Sequence, residues 1–342
     1  MNDTLEFNEK KYTMVFILFG FVLVSVFAVN IITGSIKISL PALFNIICTH
    51  DTASTNGFII WNIRIPRAVA AVLGGAYLSV AGLLLQVFFR NPIVGPFILG
   101  ISSGATLMVS LVMLTSISLG FTNLIPFLTT ISGLAGAYAA MVIVLVIAAK
   151  VKDGITLLIA GLMMGYLCHA VTSILVVFAE QQKIKGFVLW QLGSFSGLKW
   201  NEIQLLLITG GIVLIIVYSL SKSLNAFLSG ETYALTMGVN IRLFRFLIVL
   251  CSCALAGMVT ASAGPVAFIG LAVPHMTRMC FSTSDNRILI PGTILLGAIV
   301  TVLCDLLARQ IFSPVELPIS AITAFFGAPV VIGLLMKKRA KV

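Results

Sequence analysis

Apolar residues run through this chain in long unbroken blocks, and polar positions fall between the blocks instead of alternating with them. Period-two segments about 10 residues long, the mark of a membrane β-barrel, are not seen. Runs of about 20 apolar residues match the length at which a helix crosses a bilayer, and a helix satisfies every backbone polar group within its own segment. The pattern predicts ten helices, near 12–34, 66–88, 96–115, 124–149, 154–179, 202–222, 243–262, 267–281, 288–311 and 319–336. The eighth is short for a full span. Several boundaries fall on Gly and Pro clusters: "RNPIVGP" at 90–96, "SAGP" at 262–265 and "SPVELP" at 313–318. The first run follows Lys10 and Lys11 as a signal peptide would, yet it is long for such a segment and lacks a small-x-small cleavage site. It is expected to be a retained helix.

Composition agrees: 59% of residues are hydrophobic and 9% charged, against roughly a quarter charged in soluble domains. The fold class expected is all-α, one polytopic membrane domain over 1–342. The net charge of +10 is spread over short loops, which speaks against nucleic acid and for a record of orientation. With ten spans both termini share one side. Placing them in the cytoplasm puts 14 basic residues inside and 7 outside, the latter being Lys37, Arg64, Arg67, Lys183, Lys185, Lys199 and Arg309. The tails 1–11 and 337–342 and the loop 222–242 are then cytoplasmic. The six cysteines have no companions for a metal or redox site and are expected to be small packing residues.

Catalytic signals are missing. There is no GxxxxGK[ST] phosphate loop, no HExxH and no nucleophile elbow. Asp305 is the clear acid within a span, and Arg309 follows it at i+4. A proton relay would use such an acid, but an arginine within reach favours a structural pair. His169 and His275, with no acidic neighbour, are expected to be hydrogen-bonded packing residues.

Three stretches carry the functional pattern. "KSLNAFLSGETYALTMGVNIR" (222–242) is too polar to span and too regular to be slack. Leu224, Phe227 and Leu228 form one apolar stripe, and Ala234, Leu235 and Met237 another. Ser229 suits the cap of a short helix starting at Gly230 or Glu231, whose dipole favours Glu231, and Gly238 suits the position after its end. The result would be a rigid knob, either covering the protein's own inner face or docking a soluble partner. The second stretch, "NIRIPRAVAAVLGG" (62–75), sets Arg64 and Arg67 at the mouth of helix two on the outer face, where arginines either snorkel to headgroups or bind a partner's carboxylates. The third is an echo between 78–100 and 253–274: both share Ala-Gly, Gly-Pro and an apolar restart, in helices of opposite direction.

Taken in order, "RIPRAVAAVLGGAYLSVAGLLLQ" (64–86), "RNPIVGPFILGISSGA" (90–105), "WQLGSFSG" (190–197), "LNAFLSGETYALTMGVNI" (224–241), "GPVAFIGLAVPHMTR" (264–278) and "ELPISAITAFFGAPVVIGLL" (316–335) resemble the permease subunits of type II ABC importers for iron–siderophore, haem and vitamin B12. The resemblance covers essentially the whole chain. It implies a ten-helix subunit paired with a second copy or a homologue, two separate ATPase subunits that bind ATP and Mg, an extracytoplasmic substrate-binding protein, and a cell membrane location in a bacterium or archaeon. No cofactor is then expected in this chain, and no catalysis by it. Leu228, Ser229, Gly230, Glu231, Ala234, Leu235 and Gly238 would form the ATPase coupling helices. Arg64, Arg67 and Arg309 would meet acidic residues of the binding protein, and Gly193 and Ser194 would narrow the pathway, approaching across a dimer axis or simply making a tight turn. Ferric siderophore is the leading cargo, with haem and cobalamin beside it. A stand-alone carrier driven by an ion gradient, with Asp305 critical, is the rival reading.

Overall fold

The computed structural model describes residues 2–34, 36–115, 125–150 and 154–339. Lys152 and the tail residues 340–342, used above for orientation, lie outside the described residues. The elements in order are α1 (Asn2–Ile32), α2 (Leu40–Thr49), α3 (Thr55–Ile59), α4 (Ile65–Phe88), α5 (Ile101–Leu114), α6 (Ile125–Lys150), α7 (Gly154–Phe178), α8 (Gln181–Gln191), α9 (Trp200–Ser219), α10 (Ser221–Leu228), α11 (Glu231–Thr236), α12 (Ile241–Ala263), α13 (Ile269–Phe281), α14 (Asn286–Gln310) and α15 (Ile319–Arg339). All ten expected helices are present. Seven segments among the described residues are long and apolar enough to cross a membrane; the apolar helices at 40–49, 101–114 and 319–333 are shorter, and α13 has 13 residues.

Helix two differs from its expectation. Instead of opening at residue 66, it runs back through a π-turn at Ile60–Arg64 to Thr55. At 1.5 Å per residue Arg64 therefore lies roughly 14 Å below the helix start. Ser54 caps that start by accepting from the Gly57 N–H at 3.1 Å. The α2 helix was not expected either. Its Pro41 sits in the first turn, where no N–H is required. Ile46 packs with Ile38 and Ile60, while Leu40 and Phe44 stay exposed.

The α4 helix is the axis of the packing, buried over most of its length against α12, α13 and α14. Glycine makes this possible. A Cβ on Gly82 would fall 1.7 Å from the Gly270 carbonyl oxygen, and one on Gly75 would fall 2.2 Å from that of Gly297. Small residues at such crossings let backbones approach where lipid offers no hydrophobic drive for association. The echoed segments both form a helix, a break and a short helix: α4 to α5 through a 3-10 turn at Pro96–Leu99, and α12 to α13 through 264–268.

Hydrogen bonds define two ends of the bundle. At one, Lys11 donates to Ser282 at 3.1 Å and Asn225 reaches Asp285 and Asn286. At the other lie the end of α1, α2, α3, the start of α9, and the turn between α14 and α15, with Trp200 donating its indole N–H to the Trp61 carbonyl at 2.8 Å.

Candidate functional site

At the second end the three arginines converge, and none is a free rim charge. Arg64 is buried. Its Nη1 donates to the carbonyls of Ile31 at 2.8 Å and Ile32 at 2.9 Å, and its Nη2 donates to that of Ile36. Ile31 and Ile32 close α1, so this guanidinium satisfies carbonyls that the helix itself leaves unpaired, at the negative end of its dipole. Arg67 bridges two acids: Nε donates to Asp305 Oδ1 at 3.0 Å, and Nη1 donates to Glu316 Oε1 and Oε2 at 2.8 and 3.0 Å. Arg309 donates through Nη2 to Asn30 Oδ1 at 2.6 Å and to the Asn30 carbonyl at 3.2 Å.

Asp305 is the hub. Its side chain is 1% exposed; Arg67 holds one oxygen, while Arg309 Nε lies 3.4 Å from the other. The i+4 pair expected from spacing exists, but it is the longer of the two contacts. Asn30 completes the cluster, with its amide 3.4 Å from Asp305 Oδ2 and from the Val302 carbonyl. Both Asp305 oxygens are thus engaged, by Arg67 on one side and by Arg309 and Asn30 on the other, which is the arrangement of a structural cluster tying α1, α4 and α14 together.

The first end has the opposite character. The α10 and α11 helices form the expected knob, with two corrections. Ser229 does not cap the second helix; it ends the first, with helical dihedrals of φ −74° and ψ −10°. Gly230 takes the N-cap position instead, at φ +132°, a conformation that a residue with a Cβ resists. The far end matches expectation. Gly238 at φ +80° follows the helix, its N–H bonding the Leu235 carbonyl at 3.0 Å and the Val239 N–H bonding that of Ala234 at 3.0 Å. Those two bonds are a Schellman stop.

The stripes also divide differently. Leu224, Phe227 and Ala234 turn inward and are buried, whereas Leu228, Tyr233, Leu235 and Met237 are exposed. Tyr233 had no role assigned from sequence. Polar struts fix the knob from behind. Arg245 Nη2 donates to both Glu231 oxygens at 2.8 Å. Arg90 donates to the Phe227 carbonyl at 3.0 Å, with its guanidinium 5.0 Å from that ring's centroid. Asn225 donates to Asp285 at 2.6 Å and accepts from Asn286 at 2.8 Å.

Gly193 and Ser194 follow α8 in a turn near the arginine end. Gly193 adopts φ +75°, and the Ser194 N–H donates to the Ala263 carbonyl at 2.8 Å. The close backbone approach lies within the chain, against the 263–265 turn: a Cβ on Gly193 would meet the Pro265 oxygen at 2.9 Å. His169, expected to be a bonded packing residue, is instead exposed on α7.

The order of these elements and the knob between spans six and seven can be set against known proteins. The model of the FecCD transport family matches residues 21–337. The chain belongs to the FecCD transport family. Curated relatives include the vitamin B12 import system permease protein BtuC of Salmonella typhi, 36% identical over 85% of this chain and 88% of that protein, and its counterpart from Salmonella paratyphi A at 35% over the same shares. Among solved structures, an inward-facing metal-chelate type ABC transporter superposes with a TM-score of 0.82 at 28% identity, over 95% of this chain and 99% of the other. PsaBC from Streptococcus pneumoniae, in complex with Fab, shares the fold alone, with a TM-score of 0.55 at 14% identity over 78% and 88%. This FecCD chain is thus an all-helical, multi-pass transport permease.

Proposed function

We propose that this FecCD permease is the membrane-crossing subunit of an ATP-driven importer of a metal chelate, working by alternating access beside a second permease subunit. The observation that carries the reading is the knob: four exposed apolar side chains on two short helices, braced by one ion pair, by hydrogen bonds and by the Gly238 stop, outside the apolar spans. Exposed apolar residues on rigid supports, at an end of a membrane protein where lipid tails do not reach, are the composition of a protein interface. The occupant we assign is an ATPase subunit, and the knob and both termini are assigned to the cytoplasm, consistent with the excess of basic residues on that side. The arginine end then faces outward, toward a substrate-binding protein. No chemistry is done on the cargo.

The cargo class is supported by the relatives, which are named as vitamin B12 permeases, and by the structural neighbour of metal-chelate type. We assign a metal chelate to this chain and keep ferric siderophore as the first candidate to test. The experiment is reconstitution in liposomes with the ATPase and binding protein that co-purify with it. ATP hydrolysis and uptake are followed with a ferric siderophore, haem and cobalamin in turn. Hydrolysis stimulated by the loaded binding protein, with accumulation of one chelate, is the expected result. Uptake by the permease alone under a proton gradient would overturn it.

A further inference from the structure

The two acids on Arg67 occupy unequal surroundings. Asp305 holds the Nε edge with a side chain 1% exposed, beyond the reach of any partner. Glu316 holds Nη1 through both of its oxygens with a side chain 49% exposed, on a turn whose residues 311–316 are all exposed. The inner acid fixes where the guanidinium points, and the outer acid holds Nη1 from the solvent side. Bonds between a guanidinium and a carboxylate are charge-assisted and strong, and here one nitrogen, Nη1, serves both Glu316 oxygens, a position that another carboxylate could take. Only the acid of this pair is half exposed, so the carboxylate is the side open to exchange while the guanidinium stays in place.

We propose that Glu316 is an intramolecular stand-in for an acidic side chain of the substrate-binding protein: it occupies Arg67 in the free permease, and docking exchanges it for the partner's carboxylate. This inference rests on the reading of the arginine end as the docking face. It accounts for a rim whose arginines are all engaged before any partner arrives. It also makes docking a swap of one carboxylate for another, with the Arg67–Asp305 pair undisturbed throughout.

The test is a double-mutant cycle on the permease–ATPase complex in nanodiscs, measuring binding-protein affinity and on-rate for the wild type, Glu316→Gln, Arg67→Lys and the double variant. Lysine keeps a positive charge against Asp305 but loses the fork. Glu316→Gln is expected to tighten binding about fivefold, the upper end of what a surface ion pair is worth. Arg67→Lys is expected to weaken it, and the gain from Glu316→Gln should vanish in the Arg67→Lys background. If Glu316→Gln leaves affinity unchanged or lowers it while Arg67→Lys weakens binding, the exchange is wrong and docking at Arg67 stands. A gain that persists in the Arg67→Lys background reflects general charge and also overturns the exchange. If Arg67→Lys has no effect on binding, the docking reading itself falls. Melting temperatures of all four proteins separate these outcomes from a loss of fold.

Discussion

The two ends of this permease solve opposite problems with the same residue types. At the arginine end, charge is taken inside: Arg64, Arg67, Arg309 and Asp305 are all buried and engaged with one another or with backbone carbonyls. At the knob end, charge stays behind as bracing while apolar side chains are pushed out, Leu235 and Met237 being more than half exposed. One end is a lock on the protein's own helices whose arginines reach solvent chiefly through the half-exposed Glu316. The other presents apolar side chains on a braced pair of helices, the feature on which the proposed ATPase contact rests. A pair of arginines in a sequence therefore marks a place where charge is needed, without saying whether the need is internal or external.

The largest effect should come from breaking the lock. Asp305→Ala leaves two buried guanidiniums without their shared counter-charge, and removing one partner of a buried pair costs about 3–5 kcal/mol. A steep drop in melting temperature and in monodisperse yield from detergent is expected. A variant that melts with the wild type would show that the cluster holds nothing together. Reversing both Arg64 and Arg67 to glutamate would meet the same fate, since Arg64 caps α1 and Arg67 bridges two acids. That pair of changes tests folding before it tests docking.

Next in size is a change at the exposed end that should leave stability alone. Leu235→Asp alters a side chain that is more than half exposed, so its effect on unfolding should stay within about 0.5 kcal/mol. Its effect on ATPase association should be large, at least about tenfold, if Leu235 sits at the centre of the interface. Co-purification of the ATPase and its stimulated hydrolysis measure this. Full coupling in that variant would return the knob to a cover for the protein's own face. Glu231→Gln is the milder probe, because the Glu231–Arg245 pair is more than a third exposed on both sides and is worth at most about 1 kcal/mol. Here the ATPase should still bind, while chelate moved per ATP hydrolysed falls modestly as α11 loses its brace on α12.

Most of the architecture was legible because hydrophobic runs of bilayer length admit one backbone solution. The ten helices follow from that. The knob was legible from local chemistry: Gly238 stops its helix as the pattern required, and the inward turn of Leu224 and Phe227 follows their spacing. What stayed hidden depends on neighbours far along the chain. Arg64 read as a helix mouth because the polar stretch before it, with Thr55 and Asn56, concealed a helical start and a π-turn. Asp305 read as the partner of Arg309 because i+4 spacing is visible in sequence, while Arg67, 238 residues away, makes the shorter contact. Asn30 carried a signal that went unused: a lone amide within an apolar span needs a polar partner. Glu316 stood inside a quoted motif without a role, since only the fold brings it to Arg67. Ser229 lost the cap to Gly230 because the chain turns there at positive φ, which favours the residue without a Cβ.

The smallest expected effect sharpens the contrast between inner and outer acids at one end of the molecule. Asp51, between α2 and α3, is partly exposed, and its carboxyl is held below the usual carboxylate range. The Ser54 hydroxyl is the first cause, followed by the backbone N–H groups of Ser54 and Ala53, whose donors lie 3.2 and 2.9 Å from Oδ1. A carboxylate whose pKa is depressed by folding contributes stability that is present above its unfolded value of about 3.9 and is lost as pH falls through the lower folded value. Asp51→Ala should therefore lower the melting temperature slightly and evenly from pH 7 down to about pH 5. Its difference from the wild type should then shrink below about pH 4, as the wild-type carboxyl takes up its proton. A difference that grew with acidification would mean that the turn at 51–54 prefers the neutral acid. The sign of that slope, read in a scan of melting temperature against pH, distinguishes an acid that holds a surface turn from one, like Asp305, that holds the bundle.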